Sequence, residues 1–269
     1  MGKREFLALA AIPTLVAAIL WPPPWVFLVL LGLALVLACD ELLNMARGAG
    51  LDVGRWSPLA AVAGLLAASW IFGPPGMMVT VAVIVVMLPT MRLAHRNAPA
   101  GSLGGVAAAF FAVLFIGITG ACFGWLRLWP GDPVGVRLLL FYLACIWVGD
   151  SGAYYVGKNF GRHKMSPRIS PNKTWEGLVG GIVATYLAAA VATVAFDIRL
   201  ASIHIAALAT ILAVTAPVGD LVESQFKRDS GVKDSSKLLP GHGGFLDRTD
   251  SLLYSAPPVL GYLLAAGLL

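Results

Sequence analysis

Charged residues are scarce in this chain: they make up 12% of its 269 residues, whereas 58% of the residues are hydrophobic and the mean hydropathy is +0.82. Soluble domains carry about 25% charged residues. This deficit, together with long apolar runs, argues against an ordinary soluble protein and indicates a polytopic membrane protein. We therefore predict an all-α fold, in which one bundle of membrane helices forms a single domain over residues 1–269.

Cysteine is also rare, and Cys39, Cys122 and Cys145 all lie inside apolar runs. They lack metal-ligand spacing and have no partner in a polar loop, so we interpret them as small core residues. These cysteines do not indicate whether the protein functions in an oxidising or a reducing compartment. The N-terminus resembles the start of a signal peptide, but no cleavage site precedes a soluble domain, so we expect a retained first helix.

Nine apolar runs are candidates for membrane spans, since a spanning helix needs about 20 apolar residues. Short Pro- and Gly-rich breaks at 21–24 and 73–76 separate some of them and leave no room for a further domain. The predicted spans are 6–21, 25–46, 57–73, 76–94, 103–126, 134–157, 175–196, 200–223 and 251–269.

Lysine and arginine are distributed unevenly over the loops between these spans. With the N-terminus in the cytoplasm, sixteen of the 19 basic residues fall on the cytoplasmic side and three on the other. Membrane proteins keep their excess of basic residues inside, so this split favours both the span count and the orientation. Two cytoplasmic loops, 158–174 and 224–250, are large and basic, and we expect the polar function there.

The stretch from Ser224 to Asp250 holds five basic residues, four carboxylates, one histidine and a Pro-Gly-His-Gly-Gly turn. Asp220, Ser224 and Lys227 are spaced i, i+4, i+7, which places them on one face of a helix. A carboxylate at the membrane boundary is costly and indicates a functional site, although a helix end that simply meets water also fits. A salt-bridged loop explains any one pair here, but not the whole cluster.

The residue types in this stretch point to a cation and to phosphate. Carboxylates with hydroxyls and no thiolates suit a hard cation such as Mg²⁺, while lysine, arginine and glycine suit phosphate oxygens. Asp247 and Asp250 precede the ninth span three residues apart, so one helix face could present both. His242 could transfer a proton, contact phosphate or only shape the turn. Asp40 and Glu41 close the second span on the same side, and either join the site or mark the interface.

The second basic loop follows Asp150, which lies near the cytoplasmic end of the sixth predicted span. In this loop a proline sets a turn at the start of the next helix, and Asn172, Thr174 and Glu176 can cap that helix. Because helix N-termini attract phosphate, we favour an anion contact for Ser170 and Lys173. The other basic residues of the loop fit either the positive-inside pattern or a lipid-surface patch.

Several polar segments occur in a specific order along the chain. These segments are Ser224-x-x-Lys227-Arg228-x4-Lys233-Asp234, Leu239-Pro240-Gly241-His242-Gly243-Gly244 and Asp247-Arg248-x-Asp250. Their order resembles the signature of phosphatidate cytidylyltransferases, also called CDP-diacylglycerol synthases, and the segments that begin at Asp150 and Ile169 resemble the upstream segments of that family. The resemblance covers the whole chain and is strong from Asp150 onward, within a signature-bearing C-terminal part of about 134–269. The N-terminal helices, about 1–126, match in character only.

The resemblance implies an integral membrane enzyme that transfers CMP from CTP to phosphatidic acid, giving CDP-diacylglycerol and pyrophosphate. It also implies Mg²⁺, together with a monovalent cation such as K⁺, and a homodimer in the lipid bilayer; we expect no nucleic-acid partner. The metal-binding acids of the family correspond to Asp220 and Asp247. Whether Asp234 and Asp250 contact metal or substrate stays open.

Two sets of site residues follow from the motifs and the resemblance. The expected catalytic residues are Asp220, Lys233, Asp234, Asp247, Arg248 and Asp250. The expected substrate-binding residues are Ser170, Asn172, Lys173, Ser224, Lys227, Arg228, His242, Gly243 and Gly244. The lipid phosphate is already a nucleophile, so we expect its direct attack on the α-phosphorus of CTP, helped by cations and positioned donors.

Two other functions compete with this prediction. A CTP-dependent kinase that phosphorylates a polyprenol or phytol needs similar chemistry. A transporter of Mg²⁺ or of a phosphate compound is disfavoured, because transporters place charge near the bilayer midplane and often contain inverted repeats, whereas here the charges gather at one face. The compact chain favours a bacterial inner (cytoplasmic) membrane, with the active site facing the cytoplasm.

Overall fold

The computed structural model describes residues 16–17, 19–20, 23–93, 101–238 and 243–269. Helices dominate it, which confirms the predicted all-α class. The helices are α1 (Trp25–Gly48), α2 (Trp56–Leu93), α3 (Ser102–Leu128), α4 (Val134–Phe160), α5 (Trp175–Ala195), α6 (Ser202–Asp229) and α7 (Leu246–Ala265). A short antiparallel hairpin, β1 (Lys164–Ser166) and β2 (Ser170–Thr174), lies between α4 and α5 and pairs Lys164 with Thr174.

Six of the described helices, α1 to α6, are long and apolar enough to cross a membrane, as an integral membrane protein requires. The predicted spans 57–73 and 76–94 both lie in α2, which leaves helical geometry at Gly73, where φ is 67° and ψ is −155°. The break predicted there is thus a kink between two helical segments. The predicted count of nine is not confirmed, because most of span 6–21 lies outside the described residues and α7 is not among the six.

The helix ends differ from the predicted ends around the polar stretch. Helix α6 continues past residue 223 to Asp229, and α7 begins at Leu246 rather than at 251. The predicted loop 224–250 is therefore helical at both ends. Hydropathy marks where the apolar run ends, whereas a helix satisfies its own backbone hydrogen bonds and can continue into a polar segment.

The chain divides into two compact units. The first unit consists of Met1–Gly124 and Phe226–Thr249, and the second consists of Trp125–Gln225 and Asp250–Leu269. Helices α6 and α7 contribute residues to both units. The prediction of one domain over residues 1–269 stays a prediction.

In the first unit, α1, α2 and α3 each carry buried apolar residues, such as Leu35, Leu65 and Ile116. Gly120 of α3 permits their close approach, because a Cβ at this position would collide with the side chain of Leu35. Near the end of α6, Phe226 packs edge-on against Phe111 and Phe115 of α3, with ring centroids 5.4 Å and 6.5 Å away. This aromatic contact fixes the turn of α6 that carries the next residue, Lys227.

In the second unit, α4 packs closely against α5. Gly149 and Gly152 of α4 permit the contact, because a Cβ at either position would collide with the side chain of Thr185 or Ala184 of α5. Helix α5 starts at the end of the hairpin, where the side chain of Thr174 accepts a hydrogen bond of 3.1 Å from the backbone nitrogen of Gly177. This is one of the caps predicted from the sequence, and it holds β2 against the start of α5.

Candidate functional site

Three carboxylates of the second unit form an acidic cluster: Asp220 and Glu223 on α6, and Asp250 on α7. One oxygen of each lies within 4.8 Å of the other two. Asp220 and Asp250 were predicted site residues, and the structure brings them together. Glu223 was missed, although its i, i+3 spacing from Asp220 places it on the same helix face. The cluster offers only hard oxygen donors, the ligands that Mg²⁺ prefers.

Close packing between α6 and α7 positions the cluster. A Cβ at Gly219 would lie 2.6 Å from Cβ of Tyr254 and 3.1 Å from the backbone oxygen of Asp250, so only glycine permits this approach. One turn away, Oγ of Ser251 donates a hydrogen bond of 3.0 Å to the carbonyl of Ala216. The two helices therefore meet at the level of the carboxylates.

Lys173 of β2 joins the hairpin to the acidic cluster. Its Nζ lies 2.8 Å from Oδ2 of Asp220 and donates a hydrogen bond of 3.5 Å to the carbonyl of Pro217. On its other oxygen, Asp220 accepts a hydrogen bond of 3.2 Å from Oγ of Ser224. Asp220 thus contacts one residue from each of the two predicted loops, Lys173 from 158–174 and Ser224 from 224–250. Ser170 and Asn172, also predicted, lie on the same strand as Lys173.

Asp247 lies in the first unit, where its side chain is 5% exposed. Its Oδ1 lies 2.6 Å from Nζ of Lys227, and its Oδ2 accepts hydrogen bonds from Ser235 N (2.9 Å), Ser235 Oγ (2.8 Å) and Gly244 N (2.8 Å). Burial alone would raise the pKa of Asp247, but the hydrogen bonds from Lys227 and Gly244 and the charge of Lys227 lower it to about 2. These contacts tie Asp247 to Lys227, Ser235 and Gly244, and its metal role stays a prediction.

Glu41 on α1 is 1% exposed and belongs to the same unit. Its Oε1 accepts hydrogen bonds from Ser236 Oγ (2.6 Å) and Phe245 N (3.0 Å). Its Oε2 accepts hydrogen bonds from Ser235 Oγ (2.9 Å) and Leu246 N (2.8 Å). The sequence left open whether Glu41 joins the site. The structure shows that it contacts both flanks of the stretch 237–244.

Two predicted glycines permit this close packing. Gly243 has a φ of 78°, which favours glycine, and a Cβ there would lie 2.5 Å from Oδ2 of Asp247. A Cβ at Gly244 would collide with both carboxylate oxygens of Glu41. His242, which was also predicted, lies outside the described residues.

The remaining predicted residues of the first unit are exposed. Nη1 of Arg228 donates a hydrogen bond of 3.1 Å to the carbonyl of Val232, in the turn that follows α6. Lys233, Asp234 and Arg248 are exposed, on the loop and in the first turn of α7. Asp234 is not one of the three carboxylates of the acidic cluster, and its role stays a prediction.

Comparisons with known proteins match this chain over most of its length. The model of the Cytidylyltransferase family matches residues 2–266. Among curated proteins, the phosphatidate cytidylyltransferase of Haemophilus influenzae is 44% identical over 133 residues, which cover 47% of this chain and 46% of the relative. The protein of the same name from Staphylococcus epidermidis is 36% identical over 207 residues, which cover 77% of this chain and 70% of the relative.

A third relative, the phosphatidate cytidylyltransferase of Bacillus subtilis, is 45% identical over 134 residues, which cover 50% of this chain and 49% of the relative. The chain thus spans about half the length of two of these relatives and 70% of the third. The matches confirm the resemblance that the polar segments indicate. The chain therefore belongs to the cytidylyltransferase family.

Proposed function

We propose that the protein is a phosphatidate cytidylyltransferase, which transfers CMP from CTP to phosphatidic acid and releases CDP-diacylglycerol and pyrophosphate. The observation that carries this proposal is the acidic cluster of Asp220, Glu223 and Asp250 with Lys173 beside it, in a chain of the cytidylyltransferase family. Carboxylates that can hold a divalent cation, next to an ammonium group, are suited to a nucleoside triphosphate.

The reaction poses a problem of charge rather than of nucleophilicity. The phosphate of the lipid attacks the α-phosphorus directly, so no serine or cysteine nucleophile is needed. Two anions have to approach each other, and the leaving pyrophosphate has to be stabilised. We assign phosphate binding to Lys173 in the second unit, and to basic residues of the first unit. These basic residues are Lys227, Arg228, Lys233 and Arg248.

Mg²⁺ fits the acidic cluster, because the cluster consists of three carboxylates and contains no thiolate or imidazole ligand. Asp220, Glu223 and Asp250 would hold the ion, and when bound it would neutralise charge on phosphate oxygens. Asp247, which the resemblance also assigns to metal, is retained as a proposed ligand. The proposal further includes K⁺ as a second cation and a homodimer as the assembly, both from the family resemblance.

The proposal places the active site at the cytoplasmic face of a bacterial inner membrane. Sixteen of the 19 basic residues fall on one side of the predicted topology, together with the polar segments. CTP is available on the cytoplasmic side, and phosphatidic acid is available in the bilayer itself.

The experiment that tests this function uses the purified protein in detergent with CTP and phosphatidic acid. We expect CDP-diacylglycerol and pyrophosphate only when both substrates and Mg²⁺ are present, and we expect EDTA to stop the reaction. If folded protein forms no CMP-bearing lipid over a full range of Mg²⁺ concentrations, the proposal is wrong.

A further inference from the structure

Glu41 lies far along the chain from the stretch Ser224–Asp250, yet the donors to its carboxylate all belong to that stretch. Each of its oxygens accepts one hydroxyl hydrogen bond and one backbone N–H hydrogen bond. We infer that Glu41 is a positioning residue, which holds the segment that carries Asp247 and Lys227 in its active geometry. The inference rests on the proposed function where it concerns catalysis.

Glu41 caps helix α7 from outside that helix. The first backbone N–H groups of a helix have no partner within the helix, and a Ser, Thr, Asp or Asn side chain usually accepts from them. Here the helix follows Gly243, Gly244 and Phe245, which have no such side chain. Glu41 supplies the acceptor from α1 to Phe245 N and Leu246 N, where the helix dipole also favours a negative charge.

Glu41 and Asp247 share two neighbours. Oγ of Ser235 lies 2.9 Å from Oε2 of Glu41 and 2.8 Å from Oδ2 of Asp247. The backbone nitrogen of Gly244 donates to Asp247, while a Cβ on the same residue would collide with Glu41. A displacement of Ser235 or Gly244 would therefore move the carboxylate of Asp247, and with it the ion pair to Lys227.

Glu41 acts through this segment and not on the substrate. A carboxylate offers about four acceptor positions; Ser236 Oγ, Phe245 N and Leu246 N donate to three of them, and the single hydroxyl hydrogen of Ser235 is shared between Glu41 and Asp247. The residue is also almost completely buried, at 1% exposure. Glu41 therefore contributes to turnover by fixing the positions of its neighbours.

The test replaces Glu41 with glutamine. E41Q keeps the shape of the side chain but turns one acceptor oxygen into a donor, so a hydroxyl and a backbone N–H lose their acceptor. We expect kcat to fall at least about tenfold while the KM for CTP changes less than about twofold. We also expect the amide hydrogens of Phe245 and Leu246 to exchange at least about tenfold faster.

The matched control is D40N on the same helix. Asp40 pairs with Arg55 through contacts of 3.0 Å and 2.8 Å and with Arg47 at 3.5 Å, and both partners lie outside the stretch 224–250. We expect D40N to keep the wild-type kcat and the wild-type exchange at Phe245 and Leu246. Equal losses in D40N and E41Q would contradict the inference, as would wild-type kcat and exchange in E41Q.

If E41Q fails to insert into the membrane, S236A replaces it in the test. This variant removes one donor to Oε1 and leaves the carboxylate in place, so we expect kcat to fall about threefold with faster exchange at Phe245. Unchanged kcat and exchange in S236A would overturn the inference. Wild-type protein that makes no CDP-diacylglycerol would overturn the proposed function and the catalytic part of the inference, whereas the exchange rates would still decide whether Glu41 holds the segment.

Discussion

Lys173 and Asp220 form an ion pair in which Nζ lies 2.8 Å from Oδ2. The pair joins the short hairpin to α6 beside Glu223 and Asp250. The side chain of Lys173 is 22% exposed and that of Asp220 is 42% exposed, so a ligand can approach the pair from solvent. The pair partly neutralises a cluster of three carboxylates, and it places an ammonium group where we propose that phosphate binds.

Replacing Lys173 with alanine should lower the rate of CDP-diacylglycerol formation about 10- to 100-fold, because a charge-assisted contact to phosphate is lost. The measurement is the initial rate at saturating Mg²⁺. Lys164→Ala, on the neighbouring strand of the same hairpin, is the control and should retain the wild-type rate. Equal rates for the two variants would remove Lys173 from phosphate binding.

Replacing Asp220 with asparagine should lower turnover at least about 100-fold, because the charge that holds the proposed cation is removed. Asp247→Asn should have an effect of the same size if Asp247 is also a ligand. Activity is measured on protein whose amount in the membrane fraction equals that of the wild type. The control is Asp229→Asn, at an exposed position at the end of α6. Near-normal turnover in either site variant would remove that residue from the proposed role.

Glu223 should contribute to metal affinity more than to the chemical step. Because affinity for hard cations depends on the number of charged ligands, Glu223→Gln should raise the Mg²⁺ concentration for half-maximal activity about tenfold. Much of the wild-type rate should return at high Mg²⁺. A titration of activity against Mg²⁺ for this variant and for Asp229→Asn checks the prediction, and superimposable curves for the two would exclude Glu223 from the metal site.

The ion pair between Lys227 and Asp247 should stabilise the first unit. Their side chains are 11% and 5% exposed, and removing one partner of a buried pair typically costs about 3–5 kcal/mol. Lys227→Met should therefore lower the free energy of unfolding in detergent by about that amount. Lys237→Met, at an exposed position, should have little effect. If both variants unfold like the wild type, the pair does not stabilise the protein.

The pH dependence of stability should reveal the ionisation of Asp247. Its pKa in the folded protein is about 2, below the usual value of about 3.9, so its stabilising contribution is present above about pH 4 and is lost as the pH falls towards 2. The difference in unfolding free energy between wild type and Asp247→Asn should be constant from about pH 5 to pH 8 and should shrink below about pH 4. A difference that changes near neutral pH would contradict this ionisation.

The sequence predicted those features that depend on local pattern. Apolar runs located the membrane helices, and the proline pair after Gly73 located the kink in α2. Helical spacing and the resemblance singled out Asp220 and Asp250, which the structure brings together. The prediction of the helix ends was less accurate, because α6 continues to Asp229 in a polar segment that hydropathy assigns to a loop.

The contact between Glu41 and Ser235 could not be predicted in the same way, since 194 residues separate them along the chain. Periodicity reports which residues share a face of one helix, but not which helix supplies an acceptor to the start of another. The sequence shows the acidic residue Glu41 at the end of the second predicted span, but it does not show which groups donate hydrogen bonds to it. Glu223, in contrast, could have been predicted from helical spacing, because it follows Asp220 by three residues on the same helix.

The most direct test of the proposed function follows the phosphorus atoms of CTP. The purified protein is incubated with phosphatidic acid, Mg²⁺ and CTP labelled either at the α- or at the γ-phosphorus, and the lipid products are separated. The proposed reaction predicts that label from the α-phosphorus enters the lipid as CDP-diacylglycerol, while label from the γ-phosphorus leaves in pyrophosphate. Transfer of the γ-label to a lipid, with release of CDP, would contradict it and would indicate a lipid kinase.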